Sequence, residues 1–143
     1  MMPIRAWLIA GMLPVLALPA SALGEEVPRR AAGQWEIAVT VAGQPSAHVD
    51  RYCIGAEDRL AVQAGAGIDQ SDCSEASAER TADGIAIRSV CRQGNSTVTM
   101  TGLLAGDLAT AYRGDITRTY SPPLYGRSEV KSSVEAKRLG DCP

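Results

Sequence analysis

From Trp35 to Val41 the chain alternates strictly. Trp35, Ile37, Val39 and Val41 fall on one side, and Glu36, Ala38 and Thr40 on the other. Successive strand side chains point to opposite faces, so this predicts a strand with one face on a core and one in water. Gly43-Gln44-Pro45-Ser46 then reads as a turn, and His48 to Ile54 as a second strand. Ala56 to Ala64 predicts one short helix, stopped by Gly65-Ala66-Gly67, with Glu57 and Asp58 suiting its positive N-terminal end. Further strands are predicted over 73–81, 85–91, 96–104 and 108–120, separated by the turn pairs Asp83-Gly84, Gly94-Asn95 and Gly106-Asp107. Pro122-Pro123 is expected to end the 108–120 strand, because proline cannot donate to a ladder. In the last segment Ser128, Val130, Ser132, Val134 and Ala136 alternate with charged and polar residues. This period of two favours a strand over a helix.

The predicted fold is therefore all-β: an antiparallel sheet of about seven strands curled into a barrel or half-barrel, with one short helix. The N-terminus carries a different pattern. Arg5 precedes an apolar run from Ala6 to Leu18, and Ala20 and Ala22 give a small-x-small motif. That pattern predicts a signal peptide over 1–22, cleaved after Ala22, and a single β domain over 23–143. The run is too short to span a bilayer comfortably, so no stable membrane insertion is expected after cleavage. The expected location is the periplasm or the extracellular space.

Composition sharpens this picture. The chain has no phenylalanine, and Trp35 is the only tryptophan outside the leader. A core built from Val, Ile, Leu, Ala and Met buries less area per residue, so covalent staples matter more. Cys53, Cys73, Cys91 and Cys142 supply them. No two lie within the few residues that a zinc loop or a C-x-x-C redox pair requires, so two structural disulfides in an oxidising compartment are expected, with no metal. Three pairings are open to four cysteines. Cys53–Cys73 and Cys91–Cys142 are favoured, the first closing a local excursion and the second pinning the chain end. The net charge of −2 gives no general attraction to nucleic acid. Arg29-Arg30 reads as part of a solvated N-terminal segment.

Gly33-Gln34-Trp35-Glu36 opens the first strand, Cys53-Ile54 precedes Glu57-Asp58, and Arg138-Leu139-Gly140-Asp141-Cys142-Pro143 closes the chain. With Cys73 and Cys91, these motifs resemble the domain of unknown function 3617 family of small exported Gram-negative proteins, from about Gly33 to Cys142. Gly55 departs from the Thr or Ser expected after Cys-Ile. The resemblance implies a periplasmic location. It brings no assigned activity, cofactor or catalytic residue.

The residues themselves assemble no catalytic set. His48 is the only histidine, and Asp50 shares its strand face. No nucleophile motif accompanies the pair, and a surface histidine is the ordinary reading. Glu75 and Glu79 share a face, as solvated strand carboxylates commonly do. Asp69 and Asp72 lack the dense oxygen run of a calcium loop. Gly65-Ala66-Gly67 lacks the Lys-Ser/Thr of a phosphate cradle, and Asn95-Ser96-Thr97 is a chance sequon in a bacterial chain.

Tyr112 and Tyr120 share a strand face and could line a cavity, although core filling is the ordinary reading. Leu124 and Tyr125 sit in Pro122-Pro123-Leu124-Tyr125-Gly126, the composition of a binding loop. The expectation is a non-catalytic, cofactor-free binding or interaction module of the cell envelope, its partner an envelope protein or a small apolar ligand. Two alternatives stand beside it. One is an inhibitor of cell-wall hydrolases, which lacks the Ser-Gly-x-x-Tyr loop of small lysozyme inhibitors. The other is a small hydrolase using His48 or a carboxylate pair.

Overall fold

A computed structural model describes residues 26–63 and 72–143; the expected leader, Gly65-Ala66-Gly67 and Asp69 lie outside the described residues. Seven strands form one antiparallel sheet: β1 (Gly33–Val41), β2 (His48–Ile54), β3 (Cys73–Thr81), β4 (Gly84–Gln93), β5 (Ser96–Gly106), β6 (Ala111–Leu124) and β7 (Arg127–Gly140). A single helical turn, α1 (Leu60–Gln63), lies between β2 and β3. The strand order is β2-β1-β7-β6-β5-β4-β3, so the first strand pairs with the last.

Direction decides the shape. Seven strands in a plain up-and-down barrel would bring the first and last together in parallel. Here β1 meets β7 antiparallel. Consequently β2 and β3 run the same way at opposite edges. The sheet stays open, with β2 and β3 as its edges. This corrects the barrel or half-barrel expectation: the sheet is neither closed nor strongly curled.

One face holds the core. Trp35 and Ile37 of β1, Ile85 and Ile87 of β4, Val98, Met100 and Leu104 of β5, Ile116 of β6 and Val134 of β7 are all buried on it. Leu60 of α1 and Leu108 of the β5–β6 loop close over this layer. The opposite face carries the polar half of each alternation, as in Glu36, Lys137, Arg113 and Thr99. The alternation read from the sequence is thus that of a sheet solvated on one side.

Strand direction also corrects the disulfide pairing. The bonds are Cys53–Cys142 and Cys73–Cys91, not Cys53–Cys73 and Cys91–Cys142. Because β2 and β7 both run antiparallel to β1, their C-terminal ends reach the same end of the sheet, and Cys142 meets Cys53 across the start of β1. Cys73 and Cys91 face each other directly in the β3–β4 ladder.

Three smaller expectations change. The helix starts at Leu60 rather than Ala56, because Asp58 is drawn into a buried ion pair instead of the first helical turn; Ala64 lies outside the described residues. β6 begins at Ala111, since Asp107 organises the preceding residues into a loop. It also passes through Pro122-Pro123 to Leu124. The prolines lie beyond the last β5 partner, where the Thr97–Ser121 pairing ends and no donor is needed on that side.

Candidate functional site

The β6–β7 hairpin outgrows its neighbours. β5 pairs with β6 only as far as Ser121, and the Ala42 amide donates to the Lys131 carbonyl at the last contact from the β1 side. Beyond these points the ladder of the hairpin runs between β6 and β7 only, with Glu129 opposite Thr119 and Val130 opposite Arg118. Leu124 faces Arg127 across a two-residue turn, Tyr125-Gly126. Both turn residues have positive φ, 50° and 75°, the backbone of the turn that matches strand twist. Glycine enters this region freely; tyrosine does so at a steric cost. Tyr125 is nevertheless 93% exposed, so no packing compensates that cost. The Ser96 hydroxyl donates to the Pro122 carbonyl at 2.8 Å and ties down the base of the tip. A groove of about 450 Å³ runs beside it, between Val41–Gln44 and Arg127, Glu129 and Lys131.

The four binding candidates do not form one site. Leu124 and Tyr125 occupy the tip. Tyr112 lies at the far end of β6, buried, with its ring centroid 5.7 Å from that of Trp35. Its hydroxyl accepts from Arg30 Nη1 at 3.3 Å. Burial raises the Tyr112 pKa, with Arg30 opposing. Tyr120 is half-buried on the core face, opposite Val98.

Tyr112 belongs to a network that the sequence reading missed. Arg30 and Asp58 form a forked ion pair with both side chains fully buried: Nη2 to Oδ1 is 2.6 Å, Nε to Oδ2 is 3.1 Å, and the Arg30 amide donates to Oδ2 at 2.6 Å. Trp35 Nε1 donates to the Ala31 carbonyl at 2.8 Å. Arg30 is thus part of the core, which corrects its reading as a solvated residue. The available signal was Glu57-Asp58 as a motif. Nothing local showed that the partner of Asp58 lies near the start of the domain.

His48 and Asp50 come together at 2.9 Å, and the Tyr52 hydroxyl donates to the same carboxylate at 3.2 Å. They sit on edge strand β2, with His48 well exposed. Burial, with Asp50 beside it, raises the Tyr52 pKa. Glu75 lies 3.6 Å from Arg88 in a solvated pair. No group of three or more metal-ligating side chains occurs among the described residues. On the polar face, a hollow of about 600 Å³ is bordered by Glu36, Arg113, Glu135 and Lys137. Glu36 there is held by Lys137 and by Arg51, each at 2.9 Å, and these hydrogen bonds lower its pKa.

No curated protein and no solved structure matches the chain. The family motifs converge at the Tyr112 end of the sheet. A Cβ on Gly33 would collide with the Gly140 carbonyl and the Arg138 guanidinium, so the glycine that opens β1 is required by the residues that close β7. Trp35, Asp58 and the Cys53–Cys142 bond complete the same end. A family model described as protein of unknown function (DUF3617) matches residues 30–142, and the chain belongs to that family.

Proposed function

We propose that this protein is a non-catalytic binding module of the Gram-negative cell envelope, exported through its N-terminal leader, and that the β6–β7 tip makes the contact. The observation that carries this is Tyr125, 93% exposed at positive φ on a hairpin that projects past its neighbours. Backbone strain without compensating packing points to use of the side chain. An exposed tyrosine on a stiff loop anchors an interface at low entropic cost. The filled core face, with Trp35, Leu60, Met100, Leu104 and Leu108 buried, favours surface recognition of an envelope protein over carriage of a small apolar ligand. Two disulfides fit an oxidising compartment.

A photo-crosslinking residue at position 125, expressed in intact cells, tests the reading. One discrete protein adduct is expected, with co-purification of that partner reduced about tenfold or more by Tyr125→Ala. Equal crosslinking from Thr119 on the flat sheet face would overturn it. The projecting hairpin also has the shape to enter a cleft, which keeps inhibition of a cell-wall hydrolase as a second reading. A lysozyme assay without inhibition would end that alternative.

A further inference from the structure

The two edges of the sheet are treated differently. Edge strands invite pairing with another chain, and proteins block them with charges, bulges or covering elements. β3 carries Glu75, Glu79 and Arg80, has a register irregularity between Cys73 and Glu75, and is packed by α1. β2 carries Asp50 and Arg51 but has no register irregularity, and the main packing of α1 is on β3 and β4 instead. Its seven pairs with β1 run without a register shift. Val49, at its middle, is 52% exposed on the polar face. Arg51, which could guard the edge, is turned onto Glu36 of its own sheet.

We propose that β2 pairs antiparallel with β2 of a second copy of this chain, around a two-fold axis at Val49, joining the two sheets edge to edge. Charge narrows the register, and only an axis at Val49 sets His48 against Asp50. Axes at Asp50 or Arg51 would set that residue opposite its own copy, a like-charge pair. An axis at Val49 sets Val49 against Val49. His48 of each copy then faces Asp50 of the other, twice by symmetry, and Arg51 faces Ala47. Same-face residues meet across this register, since Asp50 and His48 oppose Ile37 and Val39 in their own sheet. The interface is isologous and closes, so it yields a dimer rather than a filament.

Sedimentation equilibrium of the processed protein tests this. Wild type is expected to show a monomer–dimer equilibrium. Val49→Lys and His48→Asp should each weaken it by about tenfold or more, by placing like charges in register. The exchange His48→Asp with Asp50→His restores the His–Asp pairing and should restore the dimer, which separates lost pairing from lost folding. Val49→Cys should crosslink between copies under mild oxidation, whereas Arg51→Cys, opposite Ala47, should not. A wild type that stays monomeric at millimolar concentration overturns the proposal, as does a dimer indifferent to Val49→Lys. Tyr125→Ala should leave the dimer intact, so this edge and the hairpin tip fail or stand separately.

Discussion

The β6–β7 hairpin has two ends built on opposite principles, each with a tyrosine. At one end, Tyr112 is buried beside Trp35, and the Arg30–Asp58 pair, the Cys53–Cys142 bond and the Asp107 loop surround it. At the other, Tyr125 stands in solvent on a turn whose backbone does not suit it. The first end joins segments far apart in sequence: the start of the domain, the β2–β3 connection and the chain terminus. The second is local, its ladder made by β6 and β7 alone with one tie from Ser96. Stability therefore concentrates at the Tyr112 end, and the proposed contact lies at the tip, which few long-range contacts hold.

The largest expected effects fall at the Tyr112 end. The Cys53–Cys142 bond spans 89 residues, and chain entropy assigns its loss about 4–5 kcal/mol. Cys73–Cys91 spans 18, and its loss should cost about 3 kcal/mol. Serine pairs compared by urea melts give the ranking, and peptide mapping under non-reducing conditions gives the connectivity. Asp58→Ala comes next, at about 3–5 kcal/mol, because it leaves the Arg30 guanidinium buried without its carboxylate. The double variant Arg30→Met with Asp58→Leu should lose less than Asp58→Ala alone, since it removes both buried charges together. If Asp58→Ala melts like wild type, this end is not where stability concentrates.

The same division explains what the sequence made legible. Strands were readable because the alternation in Trp35–Val41 and Ser128–Ala136 is set by one core face and one wet face, a property of each strand by itself. The exposed tip was readable because Pro-Pro-Leu-Tyr-Gly is local chemistry. Strand order was not, because it depends on β1 meeting β7 antiparallel, and nothing within either strand encodes that neighbour. The disulfide pairing followed strand order and was misread with it. Arg30 looked solvated for the same reason: its partner lies 28 residues on, brought close only by the β2–β3 connection.

Smaller changes separate the two tyrosines directly. Tyr112→Phe removes one hydroxyl that accepts from Arg30, and should cost about 1 kcal/mol with no change in partner capture. Tyr125→Gly should do the reverse. Glycine fits φ of 50°, so stability should hold within about 0.5 kcal/mol or rise slightly, while crosslinking and co-purification fall. Thermal melts run beside the capture assay read both at once. A Tyr125→Gly protein that loses stability would mean the ring packs at the tip, and the contrast between the ends would narrow.

The finest test uses pH at the Asp107 loop. Asp107 accepts from the amides of Ala109 at 2.8 Å and Thr110 at 2.7 Å, and from the Thr110 hydroxyl at 2.7 Å. These bonds, the Thr110 amide first, lower its pKa from 3.8 to about 2. They hold Leu108 buried at a φ of 56°, from which its carbonyl accepts from the Ala31 amide at 2.8 Å. A carboxyl with a depressed folded pKa stabilises fully above its unfolded value, and that contribution is lost as pH falls through the folded one. Asp107→Asn should therefore be less stable than wild type by a constant margin from pH 8 to pH 5. The margin should shrink below about pH 4 and vanish only below about pH 2. Hydrogen exchange at the Ala109 and Thr110 amides should report the same loss locally, with no change at the tip. A margin independent of pH would show that the loop is held by shape alone, through Leu108 and Ala31, and not by the charge of Asp107.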